Sequence, residues 1–382
     1  MNTVCCPESR YDSDSSDPVP WMQLALSATL SPRQKRRLLN CFGTPEALFG
    51  AGRQALSILP EVGPVLAERL CRPVAPQIAR EALNRLANLG GRMILRDDAD
   101  YPPPLREIAD PPPWLFVLGN TDHLHALRPM AVVGTRQASP DGARMAWQLS
   151  LEMSRQGMTV VSGLAIGIDT AAHHGAIKGG GATVAVQATG LDIDYPRSNI
   201  ALRQRIREQG CLITEAALGT PPHPYLFPAR NRIISGLSLG VVVVEAGEHS
   251  GSLITARLAL EQGRTVFSVP GVISDPRTRG THRLLREGAR LLENIQDILE
   301  EMGWPSRNDD DPTQVAREAQ RVLTLLNNGP LDGNTLARDS RLTVAALSRI
   351  LLHLEMSERI ERLPGHLYGL RRPGISDSTQ TD

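Results

Sequence analysis

Short segments that combine glycine, serine and arginine recur between residues 130 and 292 of this 382-residue chain. Arginine offers a planar fork of donors that suits phosphate, and a glycine-rich turn that opens a helix exposes backbone N–H groups to an anion. These segments therefore indicate a binding site for a negatively charged ligand. The residues that we expect to contact it are Gly134, Thr135, Arg136, Ser162, Gly163, Gly167, Arg197, Arg230, Asn231, Arg232, Ser250, Gly251 and Ser252.

The same segments contain no paired carboxylates and no nucleophile beside a base, so the sequence indicates a binding protein and not an enzyme. The turn Ser162–Asp169 lacks the GxGxxG pattern of a dinucleotide site, and the chain has no Walker A sequence. His173 and His174 lack further ligands at suitable positions, so we expect neither a metal nor another cofactor. A nucleotide-binding or nucleotide-cleaving Rossmann-like enzyme is the alternative, although its Gly-Gly-x-Gly-Thr loop is not found at Gly247–Thr255.

Apolar runs and stretches with helical spacing alternate from Pro129 to about Leu292. This alternation predicts an α/β fold with a doubly wound, Rossmann-like parallel sheet. Ligands bind at the carboxyl ends of the strands in such sheets, so the residues named above should meet at one edge. The predicted strands are Ala131–Gly134, Thr159–Ser162, Thr183–Ala188, Cys211–Glu215, Val241–Glu245 and Thr265–Val269. The predicted helices include Gly142–Gln156, Thr170–Ile177, Asn199–Glu208, Asn231–Leu237, Ser252–Glu261 and Thr281–Glu287.

Smaller domains are predicted on both sides of this sheet domain, which we place at residues 91–295. Residues 18–90 indicate short helices, with a helix–turn–helix at Leu56–Leu70 that fits a SAM-like or helix-hairpin-helix domain or a plain αα-corner. Residues 313–372 indicate three helices and a hairpin, the order of a winged helix, whose partner could be DNA or protein. A transcription regulator acting through this last domain would leave the arginines of the sheet unexplained.

The formal net charge is zero, with 41 basic and 41 acidic residues, which excludes a uniformly basic protein that coats nucleic acid. Acidic tails at 1–17 and 373–382 and an acidic linker at 296–312 offset three mildly basic blocks. Only two basic residues are lysines, Lys35 and Lys178, and either coding composition or phosphate recognition explains this excess of arginine. Five scattered cysteines and the lack of a membrane-length apolar segment indicate a reduced, cytoplasmic protein.

Six motifs occur in order along the sheet domain: Gly134-Thr135-Arg136, Ser162–Ala165 with Gly167–His173, Gly190–Asp192 with Tyr195-Pro196, Phe227–Leu237, Ser250–Ala256 and Val269–Gly271. Together they resemble the DNA-processing protein A family, also called DprA or Smf, over about residues 95–292. The resemblance implies a bacterial cytoplasmic protein that binds single-stranded DNA, protects incoming strands and helps to load the RecA recombinase during natural transformation. It also implies a homodimer built through the doubly wound domain.

The resemblance assigns two residues to a DNA groove. The family's Gly-x-Arg arginine corresponds to Arg136, and its basic residue after Tyr-Pro, where lysine is common, corresponds to Arg197. Aromatic residues make up only 4% of the chain, so base stacking cannot dominate and phosphate contacts must provide most of the binding. We expect binding that tolerates any sequence and weakens with salt, with Arg230 and Arg232 as further contacts unless one braces its loop through a carboxylate.

Overall fold

The computed structural model describes residues 17–27, 30–57, 62–306, 312–340, 342 and 344–371. The described residues form two compact units, one that ends at Ile298 and one that begins at Leu299. Among them, no helix is both long and apolar enough to span a membrane. Three sets of predicted features lie outside the described residues: the acidic tails apart from Asp17, the acidic run 309–311, and residues 58–61 of the helix–turn–helix predicted at Leu56–Leu70.

Short helices make up the N-terminal block, and prolines begin five of the six that are described. Proline suits the first helical position because its missing N–H group would have no partner there. Ser31 completes the start of the second helix in a capping box with Gln34. The helices are α1 (Pro18–Leu26), α2 (Pro32–Phe42), α3 (Pro45–Gly50), α4 (Gly52–Ser57), α5 (Pro64–Leu70) and α6 (Pro76–Asn88).

A nine-stranded sheet forms the centre of the first unit, in the order β1-β2-β6-β5-β4-β3-β7-β8-β9. Its strands are β1 (Gly91–Leu95), β2 (Trp114–Gly119), β3 (Pro129–Val133), β4 (Thr159–Ser162), β5 (Thr183–Val186), β6 (Cys211–Thr214), β7 (Gly240–Val243), β8 (Thr265–Ser268) and β9 (Arg290–Leu291). The strands from β6 to β9 pair in parallel, which confirms the predicted α/β core. The first two strands pair antiparallel at one edge, so the sheet is mixed.

Helices cover both faces of this sheet. One face packs against the N-terminal block, where the rings of Trp21 and Trp114 meet edge to face with centroids 6.4 Å apart. The other face packs against apolar residues of the helices Leu226–Leu237, Ser252–Glu261 and Arg279–Arg286. The helices of the sheet region are α7 (Pro103–Arg106), α8 (Pro140–Arg155), α9 (Ile168–Lys178), α10 (Ile200–Gln209), α11 (Leu226–Leu237), α12 (Ser252–Glu261), α13 (Arg279–Arg286) and α14 (Ile295–Glu301).

The strand order reverses beside β3, and this reversal opens a crevice. From β3 the chain crosses to β4 on one side, whereas β7 pairs in parallel with β3 on the other side. The Thr135 N–H donates to the carbonyl oxygen of Glu245 at 2.7 Å and extends this pairing past the strand ends. In doubly wound sheets the ligand site lies outside the carboxyl ends at such a switch point.

The second unit is a winged helix, as the sequence predicts. Buried apolar residues such as Val322, Leu336 and Ile350 form its core. Its elements are α15 (Pro312–Leu326), β10 (Leu331–Asp332), α16 (Gly333–Ser340), α17 (Val344–Met356), β11 (Ile360–Leu363) and β12 (Leu367–Leu370), with the strand order β10-β12-β11.

An ionic cluster joins the helical block to the sheet. Arg36 of α2 pairs with Asp110 and lies 3.7 Å from the Glu215 carboxylate, which follows β6. The neighbouring Lys35 donates from Nζ to the carbonyl oxygen of Ala25 at 2.6 Å. Burial lowers the pKa of Lys35 to about 8, and the Glu215 carboxylate opposes this shift only in part.

We expect the free energy of unfolding to rise from about pH 8 to pH 10.5 through Lys35. In this range the folded protein has released the Lys35 proton while the unfolded chain still holds it, so a higher pH favours the folded state. Lys35→Met should flatten this part of the pH profile, and Lys178→Met, which changes an exposed lysine, should not. Urea unfolding at several pH values measures both profiles, and an unaltered slope in Lys35→Met would contradict the lowered pKa.

Candidate nucleic-acid interface

Two adjoining depressions lie at the carboxyl edge of the sheet. The first, which we call the strand-end groove, occupies the crevice between β3 and β7. Its lining includes Gly134, Thr135, Arg136, Arg230, Asn231, Ser250, Gly251 and Ser252. The second, the small cavity, is lined by Gly163, Tyr195 and Phe227 and shares Arg136 and Arg230 with the groove. Of the predicted site residues, only Ser162, Gly167, Arg197 and Arg232 line neither depression.

Arg136 stands where the groove and the small cavity meet. Its side chain is exposed, and its Cζ lies 4.8 Å from the centroid of the Phe227 ring. A guanidinium held over an aromatic face keeps the donors along its edges available for phosphate. Among the residues that the structure describes, Arg136 forms no ion pair, so its charge is available to a ligand.

Arg197 lies near the small cavity without lining it. It begins a single 3-10 turn, Arg197–Asn199, directly after Tyr195 and Pro196, which do line the cavity. The Asn199 side-chain amide donates to the Leu164 carbonyl oxygen at 3.0 Å and thereby ties this loop to the glycine turn after β4. The Arg197 side chain is exposed and has no carboxylate partner within the described part of the chain.

The glycine turn after β4 binds an anion, but the anion belongs to the chain itself. Oδ2 of Asp169 accepts from the N–H groups of Gly163 at 3.1 Å and Ala165 at 3.3 Å. Asp169 is buried, and this burial raises the pKa of its carboxyl group. The turn therefore differs from the predicted phosphate seat, because its own carboxylate already uses these amides.

Ser162 and Gly167 support this turn and line neither depression, so their predicted contact with a ligand stays a prediction. The Ser162 hydroxyl donates to the Val132 carbonyl oxygen at 2.6 Å and is buried. Gly167 has a φ of 86°, which favours glycine, and a Cβ there would lie 2.5 Å from the Thr135 carbonyl oxygen. Both residues therefore hold β3 and β4 close together.

Arg230 is buried beneath both depressions. It is only 7% exposed, and a Cβ added to Gly163 would lie 1.7 Å from its Nη1. Burial lowers the pKa of Arg230 to about 10, and the nearby Asp169 carboxylate acts in the opposite direction. Its Nε and Nη1 have no hydrogen-bond partner among the described residues. A buried cation with unused donors favours an anion in the groove above it.

Arg232 braces the fold, which is the alternative that the sequence left open for one of these two arginines. It is 5% exposed, and its Nη2 donates to both carboxylate oxygens of Glu215 at 3.0 and 2.9 Å. Its Nε donates to the Asp110 carbonyl oxygen at 3.0 Å, and its Nη1 to that of Ala229 at 2.9 Å. With these donors used and its side chain buried, Arg232 lines neither depression, and its predicted contact with a ligand stays a prediction.

The serine turn before α12 presents mainly its hydroxyl groups to the groove, since some of its backbone amides already form hydrogen bonds within the turn. The N–H groups of Leu253 and Ile254 donate back to the carbonyl oxygens of Ser250 and Gly251. The hydroxyls of Ser250 and Ser252 are 2.8 Å apart and bond each other at the wall of the groove. The Asn231 side-chain amide donates to the Gly251 carbonyl oxygen at 3.3 Å and joins α11 to this turn. The predicted anion seat here is thus partly closed by its own turn bonds.

Sequence reasoning missed the aromatic residues at this edge. The rings of Tyr195 and Phe227 lie 5.8 Å apart and line the small cavity together. Low aromatic content argued against stacking over a long platform, but the few rings are concentrated beside the arginines. Their positions in the sequence could have revealed them, because Tyr195 and Phe227 each lie within three residues of a predicted arginine contact.

Helix α17 of the winged helix presents apolar side chains in the position of a recognition helix. Val344, Leu352 and Met356 are all exposed. Its arginine, Arg349, lies 3.6 Å from the Glu318 carboxylate of α15. Helix α17 contains one arginine and no lysine, whereas phosphate contacts depend on such cations.

These features define a class of protein: a mostly parallel α/β sheet with an arginine-lined groove at its strand ends, followed by a winged helix. Residues 92–303 match the family model described as DNA recombination-mediator protein A, and residues 306–366 match the DprA winged helix domain. The chain belongs to the DNA recombination-mediator protein A family, which confirms the predicted resemblance.

Individual relatives agree with this assignment. The chain is 39% identical to protein Smf of Escherichia coli strain K12 over 291 residues, which cover 73% of this chain and 78% of that protein. The X-ray structure of DNA processing protein A from Streptococcus pneumoniae superposes with a TM-score of 0.66 at 36% identity, covering 75% of this chain and 99% of that one. The structure of DNA processing protein A from Helicobacter pylori, solved for its single-stranded DNA binding mode, superposes with a TM-score of 0.51 at 29% identity. The match covers 56% of this chain and 95% of that one.

Arg232 of α11 and Arg136, which follows β3, should respond differently to mutation. Arg232→Met leaves the Glu215 carboxylate, whose side chain is only 12% exposed, without the donor that bonds both its oxygens. We therefore expect a loss of about 3–5 kcal/mol in the free energy of unfolding. Arg136→Met, which removes an exposed arginine that pairs with no described carboxylate, should change this free energy little. Chemical denaturation measures both variants, and equal losses would contradict the bracing role of Arg232.

Proposed function

We propose that this chain binds single-stranded DNA along the strand-end groove and the small cavity, without sequence preference. The observation that carries this proposal is the exposed Arg136 guanidinium over the Phe227 ring, where the two depressions meet. Arg136 can therefore bind a phosphate at the place where the Phe227 ring can stack on a base. Every base has a π face, so such a site tolerates any sequence.

Charge along this edge supports the proposal. Arg136 and Arg197 are exposed, and Arg230 lies buried below them with donors unused by any described residue. Among the described residues that line the groove, the only carboxylate is that of Asp169, which already accepts two backbone hydrogen bonds. The edge therefore favours a polyanion whose backbone passes over it.

The biological role that we propose is that of a recombination mediator without enzymatic activity. It would protect incoming DNA and load the RecA recombinase during natural transformation, as a homodimer in the cytoplasm. Family membership supports this role, as does the single-stranded DNA binding of the related Helicobacter pylori protein. A nucleotide-cleaving enzyme is the competing candidate, and incubation with nucleoside monophosphates tests it, because robust release of free base would exclude a pure binding role.

Arg136→Ala and Arg197→Ala should each weaken binding of a labelled single-stranded oligonucleotide by about 1.5–3 kcal/mol, the usual loss for a charge-assisted contact. Each should also lower the slope of log K against log salt concentration by about 0.7, because one phosphate contact is lost. Fluorescence anisotropy over a salt series measures both quantities. Lys178→Ala, which removes an exposed cation that lines neither depression, is the matched control.

The parent protein should bind the matching duplex much less tightly than the single strand, because paired bases cannot reach the Phe227 ring. If both arginine variants bind like the parent across the whole salt series, the proposed site is wrong. If duplex and single strand bind equally, the role of the ring is wrong.

Deletion of residues 313–382 should leave single-strand affinity nearly unchanged. The winged helix belongs to the second compact unit, and its α17 exposes apolar residues where a DNA reader would carry basic ones. Anisotropy with the truncated and full chains compares the two affinities, and a sharp loss in the truncated chain would assign DNA contacts to the winged helix.

A further inference from the structure

Two aromatic rings stack on each other just outside the proposed groove. His223 and Tyr225 lie in the loop before α11, with ring centroids 5.5 Å apart and ring planes 13° apart. Tyr225 is 61% exposed, which leaves one of the largest side chains of the protein in water. Exposed aromatic faces in a protein that binds nucleic acid are the usual surfaces for base stacking.

The loop that carries these rings has a restricted backbone. Pro221, Pro222 and Pro224 flank His223, and each proline fixes its φ near −65°. Tyr225 immediately precedes α11, so the helix fixes the position of the last residue of the loop. The backbone that carries the rings therefore has fewer conformations to lose when a ligand binds, which lowers the entropic cost of binding.

The rings also border a third cavity, which we call the loop cavity. Its volume is about 290 Å³, close to the lower limit for small-molecule sites. Gln187 and Arg230 line this cavity and also the small cavity that contains Phe227. The two cavities thus share a wall, and Phe227 follows Tyr225 by only two residues.

The shared wall carries polar atoms without partners. Gln187 is 3% exposed, and neither its Nε2 nor its Oε1 has a hydrogen-bond partner among the described residues. A primary amide offers one donor group and one acceptor, the combination that matches the edge of a base. Lys35 and Arg230 add positive charge to the lining of the same cavity. These groups are therefore available to bond a ligand that enters the cavity.

We propose that His223 and Tyr225 form a second base-stacking platform, on which single-stranded DNA continues from Phe227 towards the mouth of the loop cavity. This inference rests on the proposed function, because it extends the same DNA path by a further subsite. The platform contributes base stacking, whereas Arg136 and Arg197 contribute charge.

Oligothymidylates of increasing length, bound to the full chain over a salt series, test the platform. Tyr225→Ala should weaken binding of the longer oligonucleotides about tenfold, and the salt slope should stay unchanged because no cation is removed. The shortest oligonucleotides, which fill only the groove, should bind as they do to the parent. Tyr225→Phe keeps the ring and should bind like the parent at every length.

Trp147→Ala is the matched control, since it removes another exposed aromatic ring that borders none of the three depressions. Photocrosslinking of an oligonucleotide that contains 5-iodouracil should modify the peptide with His223 and Tyr225. Equal binding of parent and Tyr225→Ala at all lengths would overturn the platform and leave the proposed function intact. A lower salt slope in Tyr225→Ala would overturn it too, since the loss would then come from displaced cations. If the parent binds no single strand at any length, the proposed function itself fails.

Discussion

The anchoring of α11 through Arg232 is the constraint on which the groove depends. The buried guanidinium bonds both oxygens of Glu215 and so ties the middle of α11 to the end of β6. Arg36 approaches the same carboxylate from the helical block, so three parts of the first unit meet there. A shift of α11 would leave buried charges unpaired, which is costly. Phe227, which α11 also carries, therefore keeps its place beside Arg136.

The internal anion at the glycine turn determines what kind of ligand the edge accepts. In dinucleotide-binding sheets the amides of such a turn hold a pyrophosphate. Here the Asp169 carboxylate holds the amides of Gly163 and Ala165, so an enclosed phosphate has no place at this turn. The exposed charges of Arg136 and Arg197 lie outside it and suit a strand that stays largely in water. This arrangement favours a solvated DNA strand over a buried nucleotide.

Regular apolar patterns allowed close prediction of many elements, and irregular ones did not. The strand Thr159–Ser162 and the helix Ser252–Glu261 match the prediction residue for residue. Strand β9 was missed because its two residues are exposed and leave no apolar pattern. Helix α11 begins at Leu226 and not at Asn231, because Pro228 lies in its first turn, where a missing N–H group costs no hydrogen bond.

The sequence by itself determined the α/β alternation, the family and the segments that meet at the carboxyl edge. Burial periodicity is a local property of the chain, and a helix between two strands favours their parallel pairing. Only the tertiary structure decided which charged side chains face solvent. Arg230 and Arg232 are two residues apart on one helix. No described residue accepts a hydrogen bond from Nε or Nη1 of Arg230, whereas Arg232 is bound to Glu215. The partner of a charged group is set by elements distant in the chain that the crossovers bring together, and no local pattern records that meeting.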